Sequence, residues 1–302
     1  MKISLFFPSF RRYRHRLFRS AFLLAGIAFL LASAGCKNGQ PAERRLITVS
    51  IEPLRYITES IAGGQYEIAT LTPEGVSPET YMPTPRQLAE LSNSSAYLYL
   101  ASLSFEQQNI GKITDACPHL CVENVSEGIA MKPHEHPGEA CCEDGNDPHI
   151  WTSPDNMKII AVNVHKVLCL LDPEHKEDYS GRLLTFVQRM DSLDSALHEQ
   201  LDSLQHRTFL INHPSLAYFA EHYGLHQLSV EHDGKEASAE RIARLIEECR
   251  RQGITTVFRQ KQNSGRTVER IARELKLEVT EIDPLAYRWD EEMMRIAKTL
   301  NP

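Results

Sequence analysis

The chain has 302 residues, of which 33 are basic and 40 acidic, so its formal net charge is −7. This length is enough for two domains, and the hydrophobic content of 42% is ordinary for a globular protein with a sizeable core. The acidic balance argues against a nucleic-acid-binding protein. It is compatible with capture of cations and equally with ordinary solubility.

The first 35 residues differ in composition from the rest of the chain. They carry six basic residues and no acid, and an apolar run occupies residues 21–34. This pattern predicts a secretory signal peptide at residues 1–35, because the apolar run is too short for a membrane span. A cysteine directly after it predicts a bacterial lipoprotein lipidated on Cys36, although Ser33 stands where such signals usually carry Leu. Plain secretion is the alternative.

Removal of the signal would change both the start and the charge of the protein. The six basic residues leave with it, so the remaining chain has a net charge of −13. Residues 36–45 are polar and are predicted to tether the folded part to the lipid. We therefore expect an extracytoplasmic, membrane-anchored protein.

Strand and helix patterns alternate from residue 46 to residue 171. Apolar runs typical of strands lie at 46–51, 66–71, 96–101 and 119–125. Helical periodicity lies at 54–62, 84–91, from 105 onward and at 154–171. Thr84 and Gln87 form a capping-box pattern, and Ser153-Pro154 is a favourable helix start.

A long helical pattern follows at residues 173–206. Its apolar residues keep a spacing of three and four, and no proline interrupts it after Pro173. A continuous helix would be about 50 Å long at ~1.5 Å per residue. Coiled-coil pairing is one interpretation. A rigid spine between two domains is the better one, because strand–helix units lie on both sides.

The alternation resumes after this helix. Strand patterns lie at 208–212, 227–230, 255–259 and 277–282, and helical patterns at 214–223, 239–251, 266–275 and from 290 onward. We therefore predict an α/β protein of two lobes, each with a parallel four-stranded sheet flanked by helices, joined by one long spine helix. The predicted boundaries are 46–171 for the first lobe, 172–206 for the spine and 207–302 for the second lobe.

Four candidate ligands follow predicted strands at their carboxyl ends, where parallel sheets bind ligands. They are Glu79, His149, His213 and Asp283. Converging from two lobes, two imidazoles and two carboxylates would form a four-coordinate site for a divalent transition ion. Taken singly, each has a simpler explanation as a solvated loop acid, a helix cap or a turn residue.

Residues 126–147 form a predicted loop without periodicity. It holds His134 and His136, which could collect metal weakly, and the adjacent pair Cys141 and Cys142. A solvated loop without function is the alternative. Another cysteine pair lies at residues 117 and 121, so a disulfide staple or a soft-metal site between the pairs is possible, but sequence does not determine the pairing.

Four motifs together carry a family resemblance. They are Ser-Pro-Glu-Thr-Tyr-Met-Pro-Thr-Pro at 77–85, Asp-Pro-His-Ile-Trp-Thr-Ser-Pro at 147–154, Asn-His-Pro at 212–214 and Asp-Pro-Leu at 283–285. From residue 46 to its end, the chain resembles the metal-specific solute-binding proteins of bacterial ABC uptake systems, in their zinc branch. The resemblance implies two α/β lobes joined by one long helix, with the metal held between them.

The resemblance also implies a ligand set and a partner. Carried over residue by residue, the ligands are Glu79, His149, His213 and Asp283, and the protein delivers its metal to a membrane permease as a monomer. The family normally has His where this chain has Glu79. This departure brings the site nearer to manganese-binding relatives, or it means that water or a loop His takes that position. Zinc is the expected cargo, because His149 and His213 both suit it, with manganese or iron as the alternative.

Two other functions compete with metal uptake. A zinc-dependent hydrolase would keep an open position for water and a general base, and the sequence contains no His-Glu-x-x-His motif. A cell-adhesion protein could keep the same fold, but the four intact ligand positions argue against a role in adhesion alone.

Overall fold

The computed structural model describes residues 45–133, 145–231 and 238–302. No helix within these ranges is both long and apolar enough to cross a membrane. The predicted signal peptide and Cys36 lie outside the described residues, as do His134, His136, Cys141 and Cys142.

The first lobe is built on a parallel sheet of four strands in the order β2-β1-β3-β4. The strands are β1 (Leu46–Val49), β2 (Glu67–Thr70), β3 (Ala96–Tyr99) and β4 (Cys121–Asn124). The helices are α1 (Glu52–Ala62), α2 (Pro85–Leu91), α3 (Ser104–Ala116) and α4 (Pro154–Leu171). The predicted capping box forms, with the Gln87 N–H donating to Thr84 Oγ1 and the Gln87 side chain accepting from the Thr84 N–H. Ser153 is the N-cap of α4, but its side chain accepts no capping hydrogen bond.

The second lobe repeats this topology with the strand order β6-β5-β7-β8. Its strands are β5 (Thr208–Ile211), β6 (His226–Ser229), β7 (Val257–Gln260) and β8 (Val279–Ile282). Its helices are α6 (Ala217–His222), α7 (Ala239–Gln252), α8 (Arg266–Leu275) and α9 (Trp289–Leu300). Helix α7 starts at the Ser238 cap and ends at Gly253, which has a φ of 63°. The predicted α/β architecture is therefore confirmed.

The helix between the lobes, α5 (Lys176–Leu201), is shorter than the predicted 173–206. Residues Pro173–His175 form a separate 3-10 turn, in which the His175 N–H donates to Asp172 O. At the other end a turn follows Leu201, and the Leu204 N–H donates to Leu201 O. The turn places Leu204 against the hydrophobic core of the protein. The apolar spacing therefore continues in the sequence after the helix has ended.

One hydrophobic core connects both lobes with α5. It includes the fully buried Tyr179, Phe209 and Trp289, so it continues from the spine helix into the second lobe. At the boundary between the lobes, the Trp151 Nε1–H donates to Pro284 O at 3.0 Å. Since the two sheets share this core, their carboxyl ends are held in a fixed relation to each other.

The cysteines of the described residues form no disulfide with one another. These described cysteines are Cys117, Cys121, Cys169 and Cys249. Cys249 is buried in a separate apolar cluster of the second lobe, and Cys169 is half-buried against the core shared by the lobes. The predicted staple to Cys141 or Cys142 falls on residues outside the described part of the chain.

Candidate metal centre

Three of the four predicted ligands meet in the cleft between the lobes. Glu79 Oε1 lies 3.1 Å from His149 Nε2 and 3.1 Å from His213 Nε2. The two imidazole nitrogens lie 3.2 Å from each other. These three atoms form a nearly equilateral triangle, which we call the cleft cluster.

The dimensions of this triangle suit a small divalent ion. Zinc binds imidazole nitrogen and carboxylate oxygen at about 2.0–2.2 Å, so adjacent ligand atoms of a tetrahedral site lie about 3.3–3.6 Å apart. The three edges of the cleft cluster, 3.1, 3.1 and 3.2 Å, are shorter than this by at most about 0.5 Å. The ligand atoms are therefore already placed for a metal without a large change in the positions of the lobes.

The polypeptide around His149 fixes the orientation of its ring. Asp147 Oδ1 accepts two hydrogen bonds, one from the His149 backbone N–H at 2.8 Å and one from the ring Nδ1–H at 2.9 Å. The ring also contacts Trp151 edge to face, with the ring centroids 5.2 Å apart. Because Nδ1 is occupied by a carboxylate, Nε2 is the ring nitrogen that faces Glu79 and His213 and is available to a metal.

His213 has the same kind of support in the second lobe. It follows β5, and its Nδ1–H donates to Glu231 Oε2 at 2.9 Å. Glu231 follows the neighbouring strand β6, and its backbone N–H donates to Asn212 O at 2.9 Å. The parallel pairing of β5 and β6 thus places the carboxylate beside the imidazole. Both rings of the cleft cluster are held in carboxylate–histidine pairs, which orient ligands in metal sites.

Glu79 reaches the cleft from the loop after β2. The Tyr81 hydroxyl two residues on donates to Leu71 O at 3.0 Å, and its ring packs edge to face on Phe105. These contacts fix the end of the loop against the first lobe. The Glu79 side chain is only 10% exposed, so its carboxylate depends on His149 and His213 for compensation of its charge.

The ionisation of the cleft cluster reflects this mutual dependence. Burial alone would lower the pKa of His149, but the Asp147 and Glu79 carboxylates outweigh it and raise the pKa to about 9. Burial likewise opposes protonation of His213, whose pKa Glu79 and Glu231 raise well above its usual value. The pKa of Glu79 is held well below its usual range, because the two imidazoles outweigh its burial. Without a metal, the cluster is therefore an ionised carboxylate that holds protons on the rings.

Asp283 is not a member of the cleft cluster. Its Oδ1 accepts a hydrogen bond from the Gln262 side chain at 2.6 Å, and its Oδ2 accepts one from Lys261 Nζ at 3.3 Å. Lys261 also pairs with Glu74 of the first lobe at 3.1 Å. The carboxylate thus lies at the lobe boundary in contact with a cation, and its role as a fourth ligand stays a prediction.

Two further residues lie at the site without having been predicted from the sequence, Asp147 and Glu231. Each is hydrogen-bonded to Nδ1 of one ligand histidine. Asp147 stands two residues before His149 in the motif at 147–154, and this short separation could have indicated that the two side chains interact. Glu231 follows β6, and the same rule of carboxyl-terminal strand ends that selected His213 also points to it.

Comparisons with known proteins identify the family of the chain. Residues 47–299 match the family described as ZnuA, zinc-uptake complex component A, periplasmic. The zinc-binding lipoprotein AdcA of Streptococcus pneumoniae strain R6 is 24% identical over 287 residues, which cover 89% of this chain and 56% of AdcA. The chain thus spans about half the length of the AdcA relatives it matches.

Two solved structures are more similar in sequence. A crystal structure of ZnuA shares 35% identity at a TM-score of 0.79, covering 85% of this chain and 97% of that chain. A zinc-bound deletion mutant of ZnuA shares 34% identity at a TM-score of 0.78, covering 85% and 96%. The family match includes nearly all of the described residues. The chain therefore belongs to the ZnuA family, the periplasmic zinc-binding component of ABC uptake systems.

Proposed function

We propose that this protein captures one zinc ion at Glu79, His149 and His213 and delivers it to an ABC permease for import. The observation that carries the proposal is the triangle of ligand atoms, whose edges of 3.1, 3.1 and 3.2 Å suit tetrahedral zinc. Two imidazole nitrogens and one carboxylate oxygen also match the ligand preferences of zinc. The fourth position would be taken by water or by Asp283.

Transport explains the site better than catalysis. A hydrolytic zinc enzyme needs a general base near the metal-bound water. The two carboxylates behind the cleft cluster, Asp147 and Glu231, are both engaged with Nδ1 of a ligand histidine. The ligand side chains are between 2% and 10% exposed, which favours an enclosed ion over an open substrate pocket. We therefore favour a binding protein over a hydrolase.

Several contacts across the lobe boundary support capture with little lobe movement. Besides the bond from Trp151 to Pro284, the Tyr218 hydroxyl donates to Asp147 O at 3.1 Å. The Tyr287 hydroxyl donates to Glu59 at 2.6 Å. Wide hinge closure would break these bonds. We propose that zinc enters a preformed site, and that the protein acts as a monomer anchored to a membrane through a lipid on Cys36.

Titration of the metal-free protein with zinc and manganese tests this function. Zinc and manganese are titrated by calorimetry into the chain and into its His149→Ala and Glu79→Ala variants. We expect tight one-to-one zinc binding, stronger than manganese binding. Apparent zinc affinities of about 10–16 kcal/mol spread over four ligands amount to about 2.5–4 kcal/mol each, so loss of His149 should weaken binding about 100-fold to 1,000-fold.

Each variant addresses a separate part of the proposal. A large loss in Glu79→Ala supports Glu79 as a ligand in place of the family's usual His, whereas unchanged affinity assigns that position to water or another residue. Stronger binding of manganese would keep the transport role and change the cargo. No tight binding of either metal would contradict the proposed function.

A further inference from the structure

A second group of metal-ligating side chains lies where the spine helix meets α6. Asp194 and His198 are one turn apart on α5, and His222 is the last residue of α6. One ligand atom from each of the three lies within 4.8 Å of the other two. Asp194 Oδ1 and His222 Nε2 are 2.8 Å apart. We call this group the helical cluster.

The helical cluster repeats the composition of the cleft cluster. Each has one carboxylate and two imidazoles, and each imidazole has a further carboxylate near Nδ1. His198 Nδ1 lies 3.3 Å from Asp202 Oδ1, and His222 Nδ1 lies 3.7 Å from Asp155 Oδ2. The Asp202 carboxylate at His198 Nδ1 leaves Nε2 of that ring available to a metal, whereas His222 Nε2 faces the Asp194 carboxylate.

Local contacts hold two of these ligands in place. The Tyr223 hydroxyl donates to Asp194 Oδ1 at 2.8 Å. The His198 ring packs edge to face on Tyr223, with centroids 5.0 Å apart, and lies 5.8 Å from the His222 ring. Tyr223 thus supports both the carboxylate and one imidazole. A hydrogen-bonded network of this kind orients side chains on two helices toward one point.

We propose that Asp194, His198 and His222 form a second site for zinc or a similar divalent transition ion, separate from the cleft. The donor set of two nitrogens and one oxygen suits zinc, and three protein ligands leave a position for water. The side chains are 24%, 43% and 22% exposed, so the ligands are less constrained than those of the cleft. We therefore expect weaker zinc binding here than in the cleft.

Occupation of this site would connect two elements that border the cleft. Helix α6 follows His213 after three residues, and the side chain of Asp155 comes from the first turn of α4, which follows His149. An ion at the helical cluster would join α6 to the spine helix. Because it binds only the folded arrangement, it would also raise the stability of the protein as its concentration rises.

Zinc titration of a variant without the cleft site tests the proposal. The full chain carrying His149→Ala and His213→Ala is titrated with zinc against a weak chelating dye, and its thermal unfolding is followed in parallel. We expect a weak equivalent of zinc that depends on the helical cluster, besides any metal that the loop histidines collect, and a rise in Tm with zinc concentration. Adding His198→Gln should weaken this equivalent tenfold or more, since it removes one of three ligands. Adding His226→Gln, at an exposed histidine of β6, should leave it unchanged.

The design separates this site from other histidines and from misfolding. His198 is only partly buried on its helix, so its replacement should preserve the fold, and circular dichroism checks this. In the otherwise unaltered chain, His198→Gln should leave the tight cleft site intact. A folded double variant that binds no zinc overturns the proposal. So does weak zinc binding that neither His198→Gln nor His222→Gln reduces, because it then belongs entirely to other residues.

Discussion

The cleft cluster and the helical cluster have the same side-chain chemistry in different surroundings. In the cleft, the three ligand atoms are 3.1–3.2 Å apart and the imidazoles are nearly inaccessible to solvent. In the helical cluster, one pair is 2.8 Å apart, the atoms spread over up to 4.8 Å, and the His198 side chain is 43% exposed.

The difference lies in what holds each side chain. The cleft ligands follow strands of two sheets that share one core, and each imidazole is fixed by a hydrogen bond to a buried or half-buried carboxylate. The helical ligands lie on two helices and are partly exposed, and one supporting distance, 3.7 Å, exceeds hydrogen-bond length. Zinc affinity should therefore depend more on burial and on the hydrogen bonds that hold each ligand than on which residue types are the ligands.

Acidification should cause the largest change in the zinc affinity of the cleft cluster. With a pKa of about 9, the His149 ring is protonated in the metal-free protein at neutral pH, and zinc must displace this proton. Lowering the pH raises the concentration of the competing proton, so zinc affinity falls. For one displaced proton the decrease is about tenfold per pH unit, or about 100-fold between pH 7.5 and 5.5. A second proton from His213 would steepen it.

Chelator competition at pH 7.5, 6.5 and 5.5 measures this dependence. Calorimetry in buffers of different ionisation enthalpy then counts the protons released on zinc binding. An affinity that does not change over this range would contradict the charge state derived for His149.

Glu231→Gln should make the cleft cluster more like the helical one. The amide keeps the size of the side chain but removes the charge that accepts the His213 Nδ1–H. Loss of such a partner typically lowers metal affinity about 10-fold to 100-fold. Zinc titration of the variant measures the effect. A matched control is Glu281→Gln, at an acid of the same lobe that pairs with Arg259 instead. If both variants bind zinc as tightly as the original chain, the carboxylate has no role in the site.

The sequence predicted the fold closely because its signals are local. Helix α4 begins and ends at the predicted residues, since a proline start and an apolar stripe define it. The spine helix was predicted too long, because Leu204 keeps the helical spacing while a turn returns it to the core. Periodicity along the sequence does not distinguish a continuing helix from such a turn.

The proximity of three of the four candidate ligands was predictable from the sequence, and the residues that support them were less so. Glu79, His149 and His213 follow strands at their carboxyl ends, so the topology brings them to one cleft. The contact from Asp283 to Lys261 and Gln262 depends on which side chains meet across the finished lobe boundary. The pairing of Glu231 with His213 depends on the neighbouring positions of β5 and β6, which only the strand order specifies.

Asp283→Asn should have the smallest effect on zinc binding. To ligate the metal, the carboxylate would have to give up its bonds to Gln262 and Lys261. The gain from a metal bond is then largely offset by the contacts that are lost, so we expect a decrease of less than tenfold. Calorimetric titration of zinc measures it, with Glu281→Gln as the control. A decrease of about 100-fold or more would show that Asp283 is a full ligand.

The variant Lys261→Met also tests whether Asp283 is a zinc ligand, because it removes the cation that pairs with this carboxylate. This change removes the cation that pairs with Asp283 Oδ2 and with Glu74, and leaves the carboxylate with Gln262 and the Leu285 N–H. If Asp283 can reach the ion, zinc affinity should rise a few-fold, and the rise should vanish when Asp283→Asn is added. If it cannot, both variants should bind zinc like the original chain, because the cleft cluster then holds the ion with three protein ligands and water. A rise in zinc affinity that Asp283→Asn abolishes would show that Lys261 competes with the metal for the Asp283 carboxylate.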